Sequence, residues 1–169
     1  MELKKFTRLT MLLSLSVVLN IFESIIPLFN GIIPGLKLGL ANSIILLIIY
    51  LFSFKDALYV SILRVFLVGI LRTGLFSVTF AFSLGGALLS VVMMSLAKNK
   101  TKLSIIGVSI IGSITHSIGQ IMVAMLVLKT HNIIYYLPWL LVFSIPTGIF
   151  IGMISKELVK YFEKRLKFL

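Results

Sequence analysis

Residues 103–128 read LSIIGVSIIGSITHSIGQIMVAMLVL, a run of 26 residues without lysine, arginine, aspartate or glutamate. About 20 predominantly apolar residues are enough for an α-helix to cross the hydrocarbon core of a bilayer. The run shows no regular alternation of polar and apolar residues, which argues against the strands of a membrane β-barrel, the competing fold. This stretch therefore predicts a transmembrane helix.

Five more apolar segments lie around this one, and together they predict an all-α integral membrane protein with about six transmembrane helices. The expected helices span residues 9–26, 39–54, 57–71, 75–97, 103–128 and 133–155. The second and third are short and separated only by Lys55 and Asp56, so we expect a tight helical hairpin. The first follows a few basic residues, as in a signal peptide, but no small-residue cleavage site comes after it, and we expect a retained helix.

The composition supports a single membrane domain over residues 1–169. Hydrophobic residues make up 59% and charged residues 12% of the chain, and the mean hydropathy is +1.15. A soluble domain of this length has too much surface to hide so much apolar area. The chain has no cysteine, which excludes disulfides and thiolate metal sites.

The positive charges predict the topology. The net charge is +11, but the basic residues are confined to short segments between apolar runs, which favours membrane topology over nucleic-acid binding. With both termini in the cytoplasm, 12 of the 16 lysines and arginines are inside, three (Lys37, Arg72 and Lys129) are outside, and Arg64 is intramembrane. Residues 156–169 then form a basic cytoplasmic tail, and we expect a multi-pass protein of the cell membrane.

Polar side chains inside the predicted helices are the best indicators of function. Placing a charged side chain at the centre of a membrane helix costs about 2.5–3.5 kcal/mol on insertion scales, so such residues are rarely kept without a role. At about 1.5 Å per helical residue, most of them fall in the outer half of the membrane although their helices run in opposite directions. Such convergence predicts a binding site. The predicted site residues are Asn20, Glu23, Asn42, Arg64, Ser83, His116 and Gln120.

Two questions stay open at this point. Glu23 and Arg64 are either a structural ion pair between the first and third helices or ligand contacts. The outer loop from Pro27 to Leu38 contains Asn30-Gly31 and Pro34-Gly35 turn signals. It is either a gating loop, with Pro34, Gly35 and Lys37 as its marked residues, or a plain connector.

Catalytic chemistry is not expected. The chain contains no Walker A sequence, no His-Glu-x-x-His motif and no aspartate-rich motif for Mg²⁺ and a diphosphate. Of the five acids, only Glu23 falls within a predicted span, so a two-carboxylate site in the membrane is excluded. We therefore expect no enzyme activity, no metal and no cofactor in this chain.

Several strings resemble one known family over nearly the whole chain. They are Glu23-x-x-x-Pro27, the run PGLKLGLAN at 34–42, Arg64 with Gly69, the run FSLGG at 82–86 and the run HSIGQ at 116–120. These resemble the Gx transporter family, also named heptaprenyl diphosphate synthase component I, which is similar to the substrate-binding S components of energy-coupling factor (ECF) transporters.

The resemblance implies a six-helix S-component-like bundle with a solute site that opens outward and is closed by the loop between the first two helices. It also implies partners, namely a transmembrane coupling subunit and two cytoplasmic ATPases. S components use small residues spaced by four on the first helix to dock that partner; here the nearest match is Thr10 and Ser14, which departs from the usual alanines.

Three functional hypotheses follow. The first is a subunit that binds and translocates a small solute, anionic if Arg64 meets it. The second is a non-catalytic membrane accessory of isoprenoid or quinone synthesis that holds a prenyl synthase at the membrane. The third is a purely structural membrane subunit, in which the polar side chains pair only among themselves.

Overall fold

The computed structural model describes residues 2–25 and 38–166, and within these ranges the chain is helical without β-strands. Six α-helices follow one another: α1 (Glu2–Ile25), α2 (Leu40–Leu51), α3 (Phe54–Val68), α4 (Val78–Lys100), α5 (Ile105–Leu128) and α6 (Leu137–Leu166). A π-helical segment (Gly69–Thr73) extends α3, and a 3₁₀ turn (Asn132–Tyr136) precedes α6.

Four of the helical stretches are long and apolar enough to cross a membrane. They are Leu3–Ile25, Val78–Lys100, Ile105–Leu128 and Asn132–Lys164. The chain is thus an all-α multi-pass membrane protein, as its sequence predicts. In α6 the helix continues without a break through the start of the basic tail, so residues 156–166 belong to the same helix.

The shortest of the six helices, α2, lies in the centre of the bundle. It has 12 residues, contacts α1, α3, α4 and α6, and its side chains from Ser43 to Ile49 are at most 2% exposed. At 1.5 Å per residue, α2 is about 18 Å long, well short of the roughly 30 Å of a hydrocarbon core. Its surface is covered by other helices instead of lipid, and the space beyond its N-terminus is left for a cavity.

Charged side chains from neighbouring helices bind both ends of α2. At the N-terminus, the Glu23 carboxylate of α1 accepts hydrogen bonds from the backbone N–H groups of Gly39 and Leu40. At the C-terminus, Lys98 Nζ of α4 donates to the carbonyl oxygen of Ile49 at 2.6 Å. Helix termini have unpaired N–H and C=O groups with partial charges of opposite sign, so an acid at one end and a base at the other stabilise α2.

Glycines bring α4, α5 and α6 into close contact. A Cβ built on Gly119 of α5 would lie 2.7 Å from the carbonyl oxygen of Gly85 in α4. Cβ atoms built on Gly148 and Gly152 of α6 would lie 2.8 and 2.7 Å from the Cα atoms of Ile110 and Ile106 in α5. Small residues at these positions allow the backbones to approach, which is how helices associate where the solvent is lipid.

Helix α3 begins with a capping box. Ser53 Oγ accepts from the Asp56 backbone N–H at 3.2 Å, and Asp56 Oδ2 accepts from the Ser53 backbone N–H at 3.1 Å. Lys5 of α1 forms a salt bridge to the same Asp56 oxygen at 2.8 Å. The starts of α1 and α3 are therefore joined at one end of the bundle.

Candidate functional site

A cavity lies at the other end of the bundle, where α1 ends and α2 begins. Because successive helices alternate in direction, this end collects the C-terminal parts of α1, α3 and α5 and the N-terminal parts of α2, α4 and α6. The free space is about 800 Å³, counting the open mouth.

All seven residues predicted for the site line this cavity. They come from five helices: Asn20 and Glu23 from α1, Asn42 from α2, Arg64 from α3, Ser83 from α4, and His116 and Gln120 from α5. The sequence predicted that polar residues at a similar membrane depth lie close together, and in the described residues they do line one cavity. The predicted gating residues Pro34, Gly35 and Lys37 lie outside the described part of the chain.

Among the described residues of the cavity wall, Arg64 is the lysine or arginine. Its side chain is 3% exposed, and its Nη1 donates to Asn42 Oδ1 at 3.1 Å. Its Nε is buried and has no hydrogen-bond partner among the described residues. An ionised group removed from water is costly unless hydrogen bonds and an opposite charge compensate it. Arg64 therefore has hydrogen-bonding capacity that the described protein groups do not use.

Glu23 has a structural role that its position in the sequence does not reveal. Its carboxylate is 7% exposed, lines the cavity and binds the first N–H groups of α2. Asn42 lies two residues into the same helix and holds Arg64. The acid thereby fixes the start of α2, and α2 in turn positions the amide that receives the guanidinium.

His116 and Gln120 lie against the Gly85-Gly86 pair of α4. A Cβ built on Gly86 would be 2.9 Å from His116 Cε1, from the His116 carbonyl oxygen and from Gln120 Cγ. The two strings FSLGG and HSIGQ are therefore the two sides of one helix contact. The absence of a side chain at Gly86 leaves room for the imidazole and the amide at the cavity wall.

The π-helical end of α3 forms another part of the wall. Thr73 lines the cavity, and Arg72 Nη2 donates to the carbonyl oxygen of Ser24 near the end of α1 at 3.1 Å. Gly69 packs against Phe80, where a Cβ would lie 2.9 Å from Phe80 Cδ2. Single-turn π-helical insertions are frequent at functional sites, because they change the direction of side chains within a helix.

The sequence prediction omitted several hydroxyl groups of the cavity. Ser113 and Ser117 of α5 and Ser144 and Thr147 of α6 line it, and the hydroxyls of Ser117 and Ser144 are 2.7 Å apart. On α5, Ser113 lies three residues before His116 and four before Ser117, which places it on the same helix face as each of them and is a usable signal. On α6 no charged or amide side chain marks the face, so the sequence offers little to distinguish Ser144 and Thr147 from ordinary packing residues.

The wall of the cavity combines polar and apolar side chains. Amides and hydroxyls dominate its polar part, and Val65, Val68, Phe80 and Leu140 form much of its apolar part. In the described chain, no three histidine, aspartate or glutamate side chains gather in a group that could hold a metal ion.

Residues 12–158 match the family model described as heptaprenyl diphosphate synthase component I. The matched range covers most of the chain and includes every residue that lines the cavity. No curated protein and no solved structure matches the chain.

Proposed function

We propose, from the premise that this chain belongs to the heptaprenyl diphosphate synthase component I family, that it is the solute-binding membrane subunit of an ECF-type transporter in the cell membrane. Its solute would be a small molecule bound in the cavity between the six helices. A coupling subunit and two ATPases on separate chains would supply the energy. On this proposal the chain itself is not an enzyme.

One observation carries the proposal: seven costly polar side chains from five helices line a single cavity instead of being dispersed. A purely structural subunit would place such groups in pairs that satisfy one another. Arg64 is the exception to such pairing, because its buried Nε lacks a hydrogen-bond partner in the described chain.

Solute retention tests the proposal directly. The tagged chain, purified gently from its native membranes, is expected to retain a small molecule that mass spectrometry detects after denaturation. Arg64→Ala and His116→Ala are expected to lose it while inserting and folding normally. Lys129→Ala is the matched control, since Lys129 is an exposed cation outside the cavity. Normal retention or uptake by both cavity variants would show that the site assignment is wrong.

The family description supports a second candidate, a non-catalytic membrane accessory that binds a prenyl diphosphate synthase. The exposed basic residues Lys100, at the end of α4, and Lys102, just after it, are a surface on which such an enzyme could dock. This candidate predicts that the chain co-purifies with a prenyl synthase, and that Lys100→Glu with Lys102→Glu abolishes this. The transporter proposal predicts a coupling subunit and ATPases in the same preparation.

A further inference from the structure

Lys98 lies near the C-terminus of α4, at the end of the bundle opposite to the cavity. We infer that it is nevertheless a positioning residue for the cavity. By binding the last turn of α2, Lys98 fixes where the first turn of α2, with Asn42, lies in the cavity wall. The inference goes beyond the proposed function, because it holds for any solute and needs no partner chain.

The first step is the carbonyl group that Lys98 binds. Ser53 lies four residues after Ile49, so its backbone N–H would pair with the Ile49 carbonyl oxygen if α2 continued. That N–H donates instead to Asp56 Oδ2 at 3.1 Å, within the capping box of α3. Lys98 Nζ takes its place and donates to the Ile49 oxygen at 2.6 Å. Because Ile49 is only 2% exposed, water is a poor substitute for this donor.

A second contact holds Lys98 in this place. Its Nζ lies 4.9 Å from the centroid of the Tyr50 ring, and a cation over the face of an aromatic ring is attracted by it. Lys98 therefore contacts two consecutive residues of α2, Ile49 through the backbone and Tyr50 through the side chain. These two contacts tie the end of α4 to the last turn of α2.

Between its two ends, α2 presents only hydrocarbon side chains to its neighbours. Residues 44–49 are all isoleucine or leucine, and each is at most 2% exposed. Apolar packing keeps the helix inside the bundle, but this attraction is not directional. We therefore expect the polar contacts at the two ends to determine the position of α2 along its own axis.

The first turn of α2 forms part of the cavity wall. Ala41 and Asn42 line the cavity, and Asn42 Oδ1 accepts a hydrogen bond from Arg64 Nη1 at 3.1 Å. The 12 residues of α2 form one uninterrupted helix, so its backbone hydrogen bonds transmit a displacement of the last turn to the first. Loss of the Lys98 contact is thus expected to move the groups that α2 places in the cavity.

Single cysteines in the purified full chain in detergent test the inference, since the chain has no cysteine of its own. Leu38→Cys lies just before α2 and Thr147→Cys lies on α6, and both positions line the cavity. The probe is methanethiosulfonate ethylammonium, whose rate of reaction is measured with and without Lys98→Met. We expect a several-fold change at Leu38→Cys and almost none at Thr147→Cys, because α2 shifts and α6 does not. An unchanged rate at Leu38→Cys, or an equal change at both positions, would overturn the inference.

Two further variants separate positioning from a general loss of stability. Lys98→Arg keeps a cationic donor and is expected to restore most of the original rate at Leu38→Cys. Lys100→Met removes an exposed cation two residues further along and is expected to leave both rates unchanged. If Lys98→Arg behaved like Lys98→Met, or Lys100→Met changed the Leu38→Cys rate as strongly, the hydrogen bond of Lys98 would not be what positions α2.

The reciprocal measurement keeps Lys98 unaltered, so it applies even if Lys98→Met does not fold. Coupling between two sites acts equally in both directions. Attaching the probe at Leu38→Cys is therefore expected to speed the acetylation of Lys98 by acetic anhydride several-fold, as measured by mass spectrometry, and not that of Lys100 in the same molecules. No change at Lys98 would contradict the coupling. The labelling needs neither solute nor partner, so its outcome is independent of the solute-retention test of the transporter proposal.

Discussion

Glu23 has two kinds of contact: it lines the cavity, and its carboxylate accepts hydrogen bonds from the first backbone N–H groups of α2. A glutamine at this place keeps an acceptor oxygen but loses the charge that opposes the helix N-terminus. The side chain is thus expected to matter for folding as well as for the cavity.

We predict that Glu23→Gln lowers the free energy of unfolding by about 1 kcal/mol, since charged groups at helix ends and charge-assisted hydrogen bonds contribute on this order. The measurement is chemical or thermal unfolding in detergent. Glu157→Gln is the control, because it removes the same charge from an exposed position on α6. Equal destabilisation by both would mean that α2 does not depend on the carboxylate.

Gly86 is predicted to tolerate no side chain. Gly86→Ala places a Cβ 2.9 Å from the His116 carbonyl oxygen and from Gln120 Cγ, and such overpacking costs about 1–3 kcal/mol. The expected result is a lower Tm together with weakened solute retention. In Gly107→Ala the nearest atoms, Leu103 Cβ and Cδ2, lie farther away, at 3.3 Å, so this control is expected to lower Tm less. Normal Tm and retention in Gly86→Ala would contradict the tight contact.

At the residue scale, the sequence could predict which polar residues gather at the cavity, but it could not predict which groups they bind. The cost of polar groups in lipid singles out Arg64 and His116 in the sequence without any knowledge of neighbours. That Arg64 binds Asn42, and that Glu23 binds the start of α2, depends on contacts between residues 22 and 16–17 positions apart. Sequence spacing within one helix carries no information on such contacts.

At the scale of the helices, the contribution of the N-terminal cap of α3 to stability can be tested by changing the pH. Burial of Asp56 raises the pKa of its carboxyl, but hydrogen bonds from Lys5 and Ser53 and the charge of Lys5 lower it by more, so the net pKa is below its usual range. An aspartate whose pKa is lower in the folded than in the unfolded chain stabilises the folded state fully at pH values above its unfolded-state pKa of about 3.9. This stabilisation is lost as the pH falls through the lower folded-state pKa.

We therefore predict that Asp56→Asn lowers Tm at pH 7, and that the difference from the unaltered chain shrinks steadily between about pH 4 and pH 2 as the native carboxyl becomes protonated. Thermal unfolding across this range measures it. Glu163→Gln, at an exposed acid of α6, serves as the control. A difference that stays constant with pH would show that the capping carboxylate does not titrate as described.

The existence of the six helices could be predicted, because long uncharged runs have one stable form in lipid. The central place of α2 could not. Its 12 residues are the most buried of the bundle. A short apolar sequence is equally compatible with lipid and with protein around it, so the sequence does not distinguish the two. The π-helical end of α3 was also missed.

For the whole molecule, the distribution of lysine and arginine predicts that both termini are cytoplasmic and that the cavity opens outward. The chain has no cysteine, so single cysteines report on sidedness without a background. We predict that Lys129→Cys reacts with a membrane-impermeant maleimide on intact cells, while Lys102→Cys reacts only after the membrane is permeabilised. The reverse pattern would invert the topology and place the cavity on the cytoplasmic side.

The class of fold and the end of the bundle that holds the cavity could be read from the chain, because the bilayer imposes both helix and depth. Partners, and the loop that would close the cavity, have no comparable constraint within the described residues. The family match shows to which family the chain belongs.

The burial of α2 has a consequence for how the protein adapts to different membranes. Helices in contact with acyl chains must match the thickness of the bilayer by tilting or by deforming the lipid around them. The residues of α2 from Ser43 to Ile49 are at most 2% exposed, so acyl chains do not reach them. When lipid composition or temperature changes the thickness, the outer helices can adjust, while the distance from the floor of the cavity to the opposite end of α2 stays the same.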